Sequence, residues 1–257
     1  MEPLSAVALH LIAEAQRRAF ADRFTYLADE AVVGPAMYER LASAEHAAAA
    51  RATIDPGRAT PQAGATPVPP STDCTTHVNV IDREGRMVAL TTTLGGAFGS
   101  GVIAAGTGIM LANVMTWFDP RPGRPNSIAG GKRILSAIAP MLVLRAGAPL
   151  LATGAPGGRR IMSAMVHVIT NIVDFGQTPQ VAVNTARTHC ESADLLMDTR
   201  IPVAVRDALA AMGHHVVPRL ETFASSHFAR PSAILARGTE LRAGVGALKS
   251  STAIGVD

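Results

Sequence analysis

The stretch 71-STDCTTHVNVIDREGRMVALTTTLGG-96 decides how the chain is read. It ends a segment, 55-DPGRATPQAGATPVPPSTD-73, whose five prolines and two glycines carry no apolar periodicity and mark a linker. Two runs rich in β-branched residues follow at once, Val78 to Ile81 and Met87 to Thr93, joined through 82-DREGR-86. With a three-residue hairpin loop, and Gly85 supplying its left-handed conformation, residue 82 faces residue 86. Thr93 then lies opposite Thr75, with Cβ atoms about 5 Å apart. Side chains alternate along a strand, so Thr75, His77 and Asn79 share one face with Thr91 and Thr93.

A hydroxyl is a poor nucleophile until a base removes its proton. A threonine made N-terminal by cleavage carries that base as its own free amine. The cut that exposes Thr75 falls after Cys74, where the linker ends, and it can be self-inflicted when the hydroxyl attacks the preceding carbonyl. Threonines are also good strand residues in their own right, and this stretch alone leaves both readings open. A second element, 153-TGAPGGRRIM-162, reads as a strand, a glycine-rich turn and a helix start. Consecutive backbone N–H groups at a helix N-terminus suit a developing oxyanion; a tight strand-to-helix connection explains the glycines equally well. The GxxxxGK[ST] phosphate loop is absent.

The 257 residues suffice for one large domain or two small ones. Hydrophobic residues make up 48% and charged residues 17%, a globular balance leaning towards burial. No run approaches the roughly 18 apolar residues of a membrane span, and the N-terminus lacks the pattern of a signal peptide, so the chain as written reads as cytoplasmic. The excess of three basic residues is scattered, and two tyrosines and one tryptophan offer few stacking surfaces, which argues against nucleic acid. Cys74 and Cys190 carry no metal spacing, and HExxH and CxxC are missing, so neither a metal nor a cofactor is expected.

Apolar residues at three- and four-residue spacing predict a helix over 5–30, with Leu9, Ile12, Ala13, Phe20, Phe24 and Leu27 on one face. A second helix is expected over 35–52, opened by Pro35. Beyond the hairpin, strands are expected at 107–113, 139–147, 149–155, 214–219, 231–236 and 253–256. Helices are expected at 159–174, 179–188 and 202–212. His77 reads as a structural residue of its strand, and His214-His215 as surface. Arg159, Arg160 and Arg133 fit either attraction of an anionic substrate or exposure to solvent.

The segment TTHVNVIDREGRMVALTTTLGGAFGSG resembles the start of the small subunit of γ-glutamyltransferases, TTHxSVVDxxGNAVxxTxTLNxxFGS in that family. The resemblance continues through 107-TGIMLANVMTWF-118, 132-KRILSAIAPMLV-143 and 153-TGAPGGRRI-161, and 13-AEAQRRAFADRFTYLAD-29 is similar to a helix near the end of the large subunit. It implies an α+β fold, the αββα sandwich of N-terminal-nucleophile hydrolases, incomplete at its N-terminal side. It implies three parts: a helical segment over 1–54, a linker over 55–74 ending at the cleavage site, and a small-subunit-like catalytic domain over 75–257. By position, Thr75 is the nucleophile, Thr93 supports it, and the amides of Gly157 and Gly158 form the oxyanion hole.

The substrate pocket departs from the family. Where the family holds the glutamyl α-amino and α-carboxylate with an Asn, a Gln, an Asp and two serines, this chain has Gly95, Val114, Trp117, Ser136 and Ala137, and only Ser136 is retained. Losing the Asp removes the partner of an ammonium, whose unpaired burial costs several kcal/mol, and Trp117 puts an apolar π surface there. The expected substrate is therefore a small acyl or amino-acid-derived molecule other than an ordinary γ-glutamyl compound. The leading alternative is C–C bond hydrolysis, as proposed for γ-glutamyltransferase-like proteins of actinobacterial alkylproline antibiotic pathways; a cephalosporin-acylase-like activity is a third. The family's large subunit contributes several hundred residues more, so the resemblance leaves open that the remainder is truncated, mis-started, encoded separately as a large-subunit-like partner polypeptide, or lost. Without it sheet edges and hydrophobic faces stay exposed, and a non-catalytic fragment or interaction protein is the reading from another class.

Overall fold

A computed structural model describes residues 1–61, 74–225, 227–248 and 250–256 of the chain. Most of the expected linker, residues 62–73, lies outside them. Ser5 caps α1 (Ala6–Tyr26), its hydroxyl accepting the Ala8 amide at 3.3 Å. The helix stops four residues short of expectation because Asp29 caps a new turn, α2 (Glu30–Val33), by accepting the Ala31 amide. The expected helix over 35–52 is likewise two, α3 (Pro35–Leu41) and α4 (Ala44–Ala52), with Ser43 capping the second through the His46 amide.

The hairpin pairs β1 (Thr75–Ile81) with β2 (Met87–Thr93) in the register read from the sequence, Thr75 facing Thr93 and Ile81 facing Met87. Its loop is closed by the Asp82 carboxylate, which accepts the Arg86 amide at 2.8 Å, and Gly85 takes φ +80°. The segment at 107–113 is not a strand: a single bridge joins Ile103 and Met110, Gly106 and Gly108 take positive φ, and a 3₁₀ turn, Val114–Trp117, follows.

A four-stranded sheet comes next: β3 (Met141–Arg145), β4 (Ala148–Gly154), β8 (Ser232–Arg237) and β9 (Glu240–Val245), in that order across the sheet. Alternation along β4 and β8 builds two interfaces at once. Leu151, Ala233 and Leu235 pack under α5 (Arg160–Val173) and α6 (Pro179–Asn184), against Val168, Ile172 and Val183. Ala152 and Ala236 meet Ile81 of the hairpin on the other side. The result is helix, sheet, then hairpin, three layers of an αββα sandwich.

A smaller sheet of β5 (Thr188–His189), β6 (Asp194–Asp198) and β7 (His215–Arg219) packs with α1 and α7 (Val203–Ala211) around Leu9, Ala13, Leu195, Met197, Ile201 and Leu209. The expected helix over 179–188 ends at Asn184 and gives way to β5. No strand forms at 253–256, where Ile254 and Val256 stay exposed. His214, expected at the surface, is buried, because Gly213 at φ +97° turns the chain inward and its Nε2 meets His10 Nδ1 at 2.8 Å; His215 is exposed as expected.

Burial pushes the His167 ring down to about 3 and the His214 ring to about 4, helped by the charges of Arg187 and Arg17 respectively. Both values lie below that of an unfolded histidine, about 6.5. The unfolded chain therefore binds more protons between these limits, so this stability is complete above about pH 6.5 and is lost as pH falls through the folded values. Urea unfolding at about pH 5 is expected to give about 2 kcal/mol less stability per ring than at about pH 7.5, and His167→Gln to remove one share. Equal stability at the two pH values contradicts this.

Candidate active site

The hairpin register places the hydroxyl of Thr75 where it donates to Thr93 Oγ1 at 3.0 Å. Thr93 Oγ1 also accepts the Gly95 amide at 3.0 Å. Cys74 turns its thiol into the same turn: Sγ donates to the Gly95 carbonyl at 2.7 Å and lies 3.9 Å from Thr93 Oγ1. The residues on both sides of the expected scissile bond are thus held at the end of β2, Thr75 by the Thr93 hydroxyl and Cys74 by the Gly95 carbonyl.

His77, two residues along the same face, is a strut. Asn79 Nδ2 donates to the Ser232 carbonyl at 3.2 Å, which fixes the amide so that its oxygen accepts from His77 Nε2 at 2.8 Å. His77 Nδ1 is then left to accept the Thr91 hydroxyl at 2.7 Å. Burial lowers the ring's pKa, with the Asn79 bond opposing, so it is neutral near pH 7. The ring lies on Gly154, where any Cβ would overlap it. Sequence reasoning missed Gly154; its only sequence signal is a glycine inside a strand of apolar residues, which marks a close approach.

Contacts along the hairpin run in one direction over β4. Ile81 packs on Ala152, Asn79 bonds Ser232, which pairs with Gly154, and His77 covers Gly154 itself. That progression carries Thr75 towards the end of β4 from which Gly157 and Gly158 lead into α5. Gly157 has φ +144°, and a Cβ on it would stand 2.5 Å from Ala229 Cα, so the position requires glycine. α5 starts after this turn without a side-chain cap, leaving its first amides to the turn.

Behind the turn, Arg159 Nε and Nη2 grip the Glu191 carboxylate at 2.9 and 2.8 Å. Burial raises the Glu191 pKa, but hydrogen bonds from His189 and Arg159 outweigh it and bring the group to about 2. Glu191 also lies 3.3 Å from His189 Nε2, and His189 Nδ1 meets Ser163 Oγ at 2.8 Å. Arg159, a third exposed, is spent on an ion pair with the buried Glu191, whereas Arg160 is buried and lacks the solvent exposure weighed for it. Glu191 has no motif that would reveal this from sequence.

Of the expected pocket positions, Gly95 and Val114 join the threonine cluster. Gly95 takes φ +91°, the Asn113 amide fills the space beside it, and Val114 Cγ1 lies 3.2 Å from where a Cβ would stand. Trp117, half-buried, closes the same 3₁₀ turn, its carbonyl accepting Asn126 Nδ2 at 2.8 Å. Ser136 and Ala137 lie against the end of α1, where Arg23 donates to the carbonyls of Leu135 and Ser136 at 3.2 and 3.0 Å. A cleft of about 320 Å³ opens there, lined by Arg23, Asp29, Tyr38, Arg133 and Ser136 among others. Arg133 uses its amide to bond Asp29 Oδ2 at 2.7 Å.

His10, Glu14 and His214 bring ligand-type atoms within 4.8 Å of one another. Glu14, however, already accepts from Arg17 at 2.7 Å, Arg18 at 2.6 Å and the Thr60 hydroxyl at 2.6 Å. Two guanidinium groups neutralise the carboxylate, and a cation there would compete with both.

Residues 1–256 match the Gamma-glutamyltranspeptidase family along essentially the whole chain. The chain belongs to that family. It is 41% identical over 213 residues to the Acylase ACY 1 proenzyme of Pseudomonas sp. (strain SE83), covering 83% of this chain and 38% of the relative. It is 36% identical over 198 residues to the Glutathione hydrolase proenzyme of Escherichia coli (strain K12), covering 72% of this chain and 34% of the relative. The chain thus spans little more than a third of the length of these relatives. Among solved structures, cephalosporin acylase from Bacillus halodurans superposes with a TM-score of 0.82 at 27% identity, over 95% of this chain and 44% of that one. The fold of this transpeptidase-family chain is the α+β N-terminal-nucleophile type expected from sequence. No helix among the described residues is long and apolar enough to cross a membrane.

Proposed function

We propose that this γ-glutamyltranspeptidase-family chain is the self-processing catalytic part of a threonine hydrolase or acyltransferase, with Thr75 as nucleophile and a donor other than an ordinary γ-glutamyl compound. The observation that carries this is the shared cradle of Cys74 and Thr75: both side chains bond the Thr93–Gly95 turn. In maturation, Thr75 Oγ attacks the Cys74 carbonyl carbon and its proton passes to the departing nitrogen. The resulting ester is cut by water, leaving a Cys74 carboxylate and a free Thr75 amine. In turnover, that amine takes the Thr75 hydroxyl proton as Oγ attacks the donor carbonyl, and the amides of Gly157 and Gly158 hold the oxyanion. The leaving group departs with the proton, and water or an acceptor amine releases the acyl group from Thr75. The proenzyme names of the ACY 1 and E. coli relatives agree with maturation by cleavage.

The donor pocket carries no carboxylate at Gly95, Val114 or Trp117, which disfavours an α-ammonium and favours an acylase-type donor, in keeping with the ACY 1 relative. The outer face of the hairpin supports a large-subunit-like covering polypeptide: Val78, Val80, Val88 and Leu90 are 47–56% exposed side by side. A γ-glutamyl anilide and its analogue lacking the α-ammonium test the donor. The expected result is a higher kcat/KM for the analogue, with Trp117→Asp raising γ-glutamyl turnover by about tenfold or more, the scale of one close charge pair. Faster turnover of the γ-glutamyl anilide by the parent overturns the donor assignment.

A further inference from the structure

We propose that Asn113 is a positioning residue for the nucleophile, its side chain locking the turn that cradles the Cys74–Thr75 bond; this rests on the reading of Thr75 given above. Asn113 follows the loop after β2 and precedes the 3₁₀ turn, so nothing in the local sequence pairs it with the threonines. Its side-chain Oδ1 accepts the Gly96 amide at 2.6 Å, and its backbone N–H donates to the Leu94 carbonyl at 2.8 Å. These two bonds grip the turn on both sides of Gly95. The gripped turn presents the Gly95 amide to Thr93 Oγ1, which orients the acceptor of the Thr75 hydroxyl, and the Gly95 carbonyl to the Cys74 thiol. One residue therefore fixes the turn that contacts both sides of the bond to be cut, its side chain through Gly96 and its backbone through Leu94.

The fit is close enough to be tested from two sides. A Cβ on residue 95 would overlap Asn113 Oδ1, and one on Gly96 would stand 2.7 Å from Asn113 Nδ2. Glycines at 95 and 96 and asparagine at 113 thus form one packed unit. Without the Asn113 acceptor, the Gly96 amide in this half-buried turn loses its partner. The turn then samples arrangements in which Thr93 no longer faces Thr75, and near-attack geometry is lost.

The test compares Asn113→Leu, similar in volume with no acceptor, Asn113→Asp, which keeps an oxygen facing the Gly96 amide, and Gly96→Ala, which pushes on Asn113 from the other side. Two readouts are taken on the full chain: the rate at which the 75–257 fragment appears by intact mass, and hydrogen exchange of the Gly95 and Gly96 amides. Asn113→Leu and Gly96→Ala are expected to slow cleavage about tenfold or more and to speed exchange at these amides. Asn113→Asp is expected to restore both to near the parent, and all chains to keep the parent's exchange in β4 and α5. Cleavage by Asn113→Leu at the parent's rate overturns the inference. A parent that never cleaves defeats the reading of Thr75 instead. Exchange alone then decides for Asn113: loss of protection in Leu but not Asp supports it, and equal protection in all three overturns it.

Discussion

Thr75→Ala is expected to leave one uncut 257-residue chain and to lower turnover of any acyl donor at least about a thousandfold, as for removal of other covalent nucleophiles. Alanine removes the only atom at this position that can attack the Cys74 carbonyl, and with it the hydroxyl that donates to Thr93 at 3.0 Å. Thr75→Ser keeps an oxygen there and is expected to cleave, more slowly, because the missing methyl frees χ1 and lets the hydroxyl leave Thr93. Intact mass and turnover of the anilide analogue check both variants. Cleavage by Thr75→Ala removes Thr75 from the chemistry.

Gly157→Ala is expected to cost about 10²–10³ in kcat, the scale for loss of one oxyanion donor. At φ +144° alanine is strained, and its Cβ would fall 2.5 Å from Ala229 Cα, so the peptide carrying the amide must rotate away. Gly158→Ala is the control: its φ of +59° is open to alanine at modest cost, and an added Cβ meets nothing within 4 Å. A larger loss from Gly158→Ala than from Gly157→Ala contradicts the assignment of the turn. Steady-state kinetics on the anilide analogue distinguish the two, since kcat is expected to fall with little change in KM.

The hairpin was legible because its determinants are local. Asp82, Gly85 and Arg86 close the loop, the period of two fixes the faces, and Thr75 must then meet Thr93. The glycine turn before α5 was legible for the same reason. What the sequence hid depends on contacts across long separations. His214 is buried by its meeting with His10, 204 residues away, and Arg159 is claimed by Glu191, 32 residues on in the bend between β5 and β6. The run at 107–113 has the composition of a strand, but its backbone groups pair with residues 100–104 in a tight loop. β6 offers only three apolar residues in a row, and the polar, exposed β9 offers no alternation to read. Of the pocket, the replacements at Gly95, Val114 and Trp117 could be read, whereas the filling of the space beside Gly95 by Asn113 could not.

The measurement that tests the central claim most directly is a time course of intact mass on the freshly purified parent chain at two protein concentrations. Two fragments, residues 1–74 and 75–257, are expected to appear with a first-order rate that does not depend on concentration. A chain that stays whole, or one cut at any bond other than Cys74–Thr75, contradicts it.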